Sequence, residues 1–204
     1  MRLDLTHIQR WIAPGSRVLD LGCGNGEFLQ LLRDRRQVRG TGIEIGEREI
    51  TAAIARGLNI VEQNLDGGLA NFPDQSFDTV VMAHALQAVH FPDRVLNEML
   101  RIGREGIVTF PNFGHWRCRL YLGARGRMPV SRFMPHEWYD TPNIHFCTVK
   151  DFEALCKDKN IRILARDVVG NTERQPMLAG AWPNPVSYTH LTLPTTLKSW
   201  WWGG

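Results

Sequence analysis

The sequence predicts an α/β fold built on an open parallel β-sheet. Two observations carry this. Short apolar runs alternate with stretches of helical spacing, the rhythm of βαβ units wound right-handed. The first run also empties into a glycine-rich turn, "DLGCGNGEF" from Asp20 to Phe28, before helical spacing resumes.

In chain order, Leu5, Ile8, Trp11 and Ile12 recur at helical spacing, and Pro14-Gly15 stops that helix. Arg17–Leu21 reads as a buried strand running into the glycine turn, and Phe28, Leu29, Leu31 and Leu32 mark the next helix. Gly40–Ile45 is a second strand, followed by a helix around Ile50–Ala55 that ends at Gly57. Leu58–Gln63 and Phe77–Ala83 are the third and fourth strands. A helix near Arg94–Ile102 ends at Gly103, and Gly106–Phe110 is a fifth strand.

The rhythm breaks at Pro111. Residues 111–146 hold five arginines, several aromatics and prolines, and only Glu137 and Asp140 as acids, which reads as an irregular insertion. Thr148–Asn160 restores a helix, with Thr148 as N-cap and Asp151 three residues on in the manner of a capping box. Ile161–Val169 is a sixth strand. Residues 1–184 form the expected domain. The stretch 185–204 carries a single charge, Lys198, and three consecutive tryptophans; it reads as a non-native tail from cloning read-through and is set apart from function. Its Val186–Leu193 portion has the composition to form a strand.

Composition narrows the function classes. A chain of 204 residues with 43% hydrophobic content fits one domain with a real core. A net charge of only +3 demands neither a nucleic acid nor a membrane as partner. The first residues lack an apolar signal region, and the longest apolar run, Thr79–Val89, is too short and too polar to span a bilayer. A cytoplasmic protein is expected. Cys23, Cys118, Cys147 and Cys156 are widely spaced, which suits reduced thiols and suggests no metal site.

The glycine turn carries the chemistry. A dinucleotide fingerprint needs G-x-G-x-x-G, with the helix N-terminus facing a pyrophosphate. Here the spacing is G-x-G-x-G, and Glu27 stands in the sixth place. A carboxylate there suits the helix dipole but repels a pyrophosphate. The site therefore prefers a ligand without phosphate at that point, and S-adenosyl-L-methionine meets the requirement with its amino group and sulfonium cation. Asp20 at the strand end favours such positive charge. Glu44 closes the second strand, where a carboxylate accepts from ribose hydroxyls. Asn64 and Asp66 after the third strand are each able to accept from an adenine amino group.

These stretches resemble the class I S-adenosylmethionine-dependent methyltransferase superfamily. "VLDLGCGNG" matches its first motif, "GIEI" its acidic second-strand end, and "FPDQSFDTVV" the approach to its fourth strand. Within it, the chain is most similar to the methionine biosynthesis protein MetW family. That likeness rests on "RWIAPGSRVLDLGCGNGEFL", "LQAVHFPDRVLNEMLRIGREGIVTFPNFGHWR", "GRMPV" and "EWYDTPNIHFCT", and covers about residue 8 to Asn184. The resemblance implies a doubly wound, mostly parallel Rossmann-like sheet with helices on both faces. It places the cofactor over Gly22, Cys23, Gly24 and Gly26, its ribose at Glu44 beside Ile45, and adenine near Asn64, Leu65 and Asp66. The family generally has Asp where this chain has Asn64. It also implies a last antiparallel strand between the fifth and sixth, which this chain is expected to lack after Asn184, leaving an edge open.

Methyl transfer needs an acceptor held in line with the sulfonium and, for most oxygen or nitrogen nucleophiles, a nearby base. The superfamily site over strands four and five offers His84, Gln87, Asn112 and His115, with Tyr139 and His145 from the insertion; His84, His115 and Tyr139 are the weak catalytic candidates. Each equally suits a packed or surface polar residue. Strand four ends in "MAHAL" rather than the Asp/Asn-Pro-Pro-aromatic signature, and no Pro-Cys nucleophile follows. The family likeness implies instead a role alongside homoserine O-acyltransferase (MetX); the pocket without clear acceptor residues further suggests S-adenosylmethionine as an end-product signal. Two alternatives stay open. One is a methyltransferase acting on an unidentified small molecule. The other, weaker, is an RNA-directed enzyme using the arginine-aromatic stretch His115–Phe133.

Overall fold

A computed structural model describes residues 8–130, 136–169 and 188–194. Its strands are β1 (Arg17–Leu21), β2 (Arg39–Glu44), β3 (Asn59–Glu62), β4 (Phe77–Ala83), β5 (Gly103–Pro111), β6 (Ala165–Val169) and β7 (Tyr188–Pro194). Its helices are α1 (Glu27–Arg36), α2 (Glu47–Ala55), α3 (Pro92–Ile102), α4 (Trp116–Arg125) and α5 (Val149–Asp158). The strands form one sheet in the order β3-β2-β1-β4-β5-β7-β6. Strands β1 to β5 pair in parallel, with Leu19 opposite Thr41 on one side and Val80 on the other. The strand order reverses between β1 and β4, where open α/β sheets bind ligands at their carboxyl ends.

Alternate side chains explain why the sheet is covered on both faces. Leu19, Leu21, Val80, Met82, Val108 and Phe110 pack with Val95, Leu96 and Met99 of α3 and Phe152 of α5. Their strand neighbours Val18, Val81 and Ile107 pack on the other face with Phe28, Leu29 and Leu32 of α1, and with Ile8 and Ile12. Burial on both faces is why these strands read as continuous apolar runs rather than alternating ones. Arg17 and Asp78 tie β1 to β4 at the opposite end of the sheet through a backbone hydrogen bond of 2.9 Å and a side-chain ion pair.

Several boundaries differ from the sequence expectation. Of the expected first helix, Ile8 is helical and Gln9–Trp11 close it as a 3-10 turn, while Leu5 lies outside the described residues. Strand β6 starts at Ala165 instead of Ile161. Residues 111–146, expected to be irregular, contain the ten-residue helix α4. Among its described side chains Trp116, Leu120 and Leu122 are exposed and Cys118 alone is buried, so the helix turns no apolar stripe to the core. The capping box at α5 forms as expected: Thr148 Oγ1 accepts from the Asp151 N–H, and Asp151 accepts from the Thr148 N–H.

The edge expected to be open is occupied. Strand β7 runs antiparallel between β5 and β6, pairing Ile107 with Thr192 and Ala165 with the same residue. The period-two, β-branched pattern of "YTHLTLP" suits a strand, and the ladders satisfy backbone groups that an open edge would leave to solvent. The proposed boundary at Asn184 lies outside the described residues.

Candidate functional site

The glycine turn is shaped by backbone conformation before any side chain acts. Gly22, Gly24 and Gly26 have φ of 71°, 54° and 75°, a region that glycine enters without steric cost. The N–H groups of Gly22 and Cys23 donate to the Ile43 carbonyl at 2.9 and 3.0 Å, which pins the turn to the end of β2. Gly26 is the left-handed residue preceding α1, and a Cβ there would collide with Leu58 and Ala53. At Gly24, by contrast, a Cβ would meet nothing within 4 Å, so this part of the turn faces an open cradle.

Glu44 organises that cradle. One carboxylate oxygen accepts from the Gly24 N–H at 2.7 Å, and the other from the N–H groups of Ile45 at 2.8 Å and Gly46 at 3.1 Å. Asp20 is buried at the end of β1, and Ile45 stands 62% exposed at the end of β2. Glu27 occupies the first turn of α1, where its charge complements the helix dipole. Cys23 lies beneath the turn. Burial, with the Asp20 and Glu44 carboxylates nearby, pushes its thiol up to about 12, which makes it a packing residue rather than a nucleophile. Cys118, Cys147 and Cys156 are likewise free thiols.

The residues after β3 behave differently from one another. Asn64 caps the 3-10 turn Leu65–Gly67, its Oδ1 accepting from the Asp66 N–H at 3.0 Å. Leu65 packs against the core. Asp66 turns toward α3: it accepts from the His90 N–H and the His90 ring Nδ1, both at 2.8 Å, and from the Phe91 N–H at 3.4 Å. Burial raises the Asp66 pKa, but the hydrogen bonds from His90 and Phe91 together outweigh it and hold the carboxyl below its ordinary value.

On the acceptor side, His84 directly follows β4 at φ 60° and donates its backbone N–H to the Thr109 carbonyl of β5. Its neighbour Ala85 stands so close to the glycine turn that a Cβ on Gly22 would lie 2.9 Å from it. Gln87 anchors the end of the insertion, its carbonyl accepting from the N–H groups of Ile144 at 2.7 Å and His145 at 3.0 Å. Its side-chain Nε2 donates to the His84 carbonyl at 2.7 Å, which orients the amide and leaves Oε1 buried without a hydrogen-bond partner. Gln87 lines a small recess with Phe110, Phe113, Asn143, Phe146 and Cys147. Asn112 is structural, its Oδ1 accepting from the N–H groups of Gly114 and Val149. His115 stacks beside Trp116 at 5.9 Å, and Tyr139 is 73% exposed with Trp138 edge-on against it.

Sequence reasoning missed His90 and Ala85. His90 sits in a loop just before α3, where no periodicity singles it out, and its role comes from Asp66 twenty-four residues earlier.

A parallel sheet of this order, with a glycine turn after β1 and an acid closing β2, defines a class I S-adenosylmethionine-dependent methyltransferase fold. Solved structures agree. A SAM-dependent methyltransferase from Archaeoglobus fulgidus superposes with a TM-score of 0.67 at 17% identity, covering 94% of this chain and 93% of that one. The [4+2]-cyclase SpnF superposes with a TM-score of 0.61 at 22% identity, covering 81% and 59%. Residues 2–193 match the family of methionine biosynthesis protein MetW, and the chain belongs to that family. The bifunctional methionine biosynthesis protein MetXA/MetW of Rhodopirellula baltica is 37% identical over 172 residues, 80% of this chain and 28% of the relative. The chain spans about half or less of the length of its first curated relatives.

Proposed function

We propose that this chain is an S-adenosyl-L-methionine-binding protein of methionine biosynthesis that acts with homoserine O-acyltransferase (MetX) in the cytoplasm. The observation that carries it is the Rhodopirellula baltica relative, in which a MetW-like part and a MetXA part share one polypeptide. The residues fit the cofactor. Gly22, Gly24 and Gly26 leave a cradle open at Gly24, Glu44 presents a carboxylate at its rim, and Asp20 adds negative charge for a sulfonium and an amino group. Ile45, Cys23, Asn64 and Leu65 would border the adenosine. The cofactor, when bound, supplies an activated methyl group or serves as the signal of pathway end product.

Asp66 takes three hydrogen bonds from His90 and Phe91, as Glu44 takes three from Gly24, Ile45 and Gly46, so each would meet the adenosine through its remaining lone pair. The fold does not decide turnover, since it also carries the cyclase SpnF. A second reading, methyl transfer to an unidentified small molecule, is favoured by one observation: the Gln87 Oε1, buried without a hydrogen-bond partner in the loop after β4. Incubation with labelled S-adenosylmethionine and cell metabolites separates the two. The proposed function predicts a stoichiometric acyltransferase complex without labelled product. Labelled product without a complex establishes the second reading.

A further inference from the structure

We propose that the insertion between β5 and α5, in its described parts 112–130 and 136–146, is the surface on which the acyltransferase docks. This rests on the function proposed above and adds where on the fold the partner sits. Of the twelve exposed large hydrophobic residues among the described ones, eight lie in this insertion: Trp116, Leu120, Leu122, Val130, Trp138, Tyr139, Ile144 and Phe146. The other four (Ile45, Ile54, Phe91 and Leu164) are spread along the rest of the chain, one in α2 and three in loops. Single exposed apolar residues are ordinary, whereas adjoining ones mark an interaction site; here Trp116 and Leu120 stand one turn apart on α4, and Trp138 packs edge-on against Tyr139.

The chemistry of the segment points to a protein partner. Aromatic side chains and arginine are the residues enriched at protein interfaces. Residues 111–136 contain no Asp or Glu while carrying Arg119, Arg125 and Arg127, so the complementary surface is apolar with an acidic rim. The segment is also a built feature. Its two ends are pinned together by the Phe113 and Phe146 rings, 4.7 Å apart, and by the Phe113 N–H donating to Cys147. The partner follows from the relative in which the MetXA part and this fold form one polypeptide, so the two act side by side.

The position gives docking a route to the cofactor cleft. Ile144 and His145 hang on the Gln87 carbonyl, and three residues before Gln87 the chain passes His84 and Ala85, which abuts Gly22. A partner seated on the insertion therefore presses on the loop that borders the glycine turn. By reciprocity, the acyltransferase and S-adenosylmethionine alter each other's affinity by the same factor.

The test titrates the full chain against purified homoserine O-acyltransferase from the same organism by calorimetry. The variants are Leu120→Asp, Trp138→Ala and, outside the surface, Ile54→Asp, each checked by circular dichroism and melting temperature. We expect Leu120→Asp and Trp138→Ala to weaken the complex about tenfold or more, and Ile54→Asp to leave it within about twofold. A wild-type complex that Leu120→Asp and Trp138→Ala leave intact overturns the docking surface while sparing the proposed function. No complex with the wild type overturns the proposed function itself. Binding of tRNA that these same two variants abolish, with no acyltransferase complex, assigns the surface to RNA and overturns the proposal.

Discussion

Asp66 and His90 bridge two loops across the carboxyl end of the sheet. One carboxylate takes both the ring Nδ1–H and the backbone N–H of the same histidine, each at 2.8 Å. The bridge joins the turn after β3 to the start of α3, on either side of the loops that follow β1 and β2. Replacing the acceptor, as in Asp66→Ala, should destabilise the fold by about 1–2 kcal/mol, read as a lower urea midpoint with an unchanged slope.

That pair also sets a pH dependence. The Asp66 carboxyl is held below its ordinary value in the folded chain, so its contribution is complete above the unfolded value, ~3.9. The contribution is lost as pH falls through the depressed folded value. The wild type should therefore lose stability below about pH 4 more steeply than Asp66→Asn, and the two curves should differ by a constant near neutrality. Parallel curves down to about pH 2 would show that the pair does not titrate with folding.

Gly24→Ala and Gly26→Ala separate fold from binding. Both place alanine at positive φ, a strain of about 1 kcal/mol. At Gly26 the added methyl also meets Leu58 and Ala53, so thermal stability should fall by clearly more than at Gly24. At Gly24 the methyl enters the open cradle, so calorimetry should show S-adenosylmethionine binding weakened at least about tenfold with the fold retained.

Glu44→Ala should weaken S-adenosylmethionine by roughly 1–3 kcal/mol, because a ribose hydroxyl loses a charged acceptor. The substitution also frees the N–H groups of Gly24, Ile45 and Gly46. A drop in melting temperature without ligand should therefore accompany the loss of affinity. Unchanged affinity would place the ribose elsewhere.

Thr148→Ala removes the hydroxyl that caps α5 and half of the box with Asp151. The expected cost is about 1 kcal/mol, measured by denaturant unfolding. Since α5 packs Phe152 against Phe110 of β5 at 5.0 Å, the loss should appear in global unfolding rather than as local fraying.

Much of this molecule is legible in its amino-acid sequence. Strand β4 matches its expected bounds, Phe77–Ala83, because a β-branched run between turn residues has one reading. The capping box at Thr148 and Asp151 is legible because both partners lie within one turn. The glycine turn and Glu44 are legible because positive φ and a strand-end carboxylate each demand particular residue types. Helix α4 is not, since its apolar residues face outward and leave no stripe to read.

The sequence by itself determined the parallel core, the glycine cradle and the acid that closes β2, all of which depend on local conformation and burial period. Only the tertiary structure decided what long-range pairing controls. It paired Asp66 with His90, hung the insertion on Gln87, and closed the edge of β5 with Tyr188–Pro194. Each is a contact between residues far apart in the chain. A hydrogen-bonding group states what it can accept, and the fold settles which donor reaches it first.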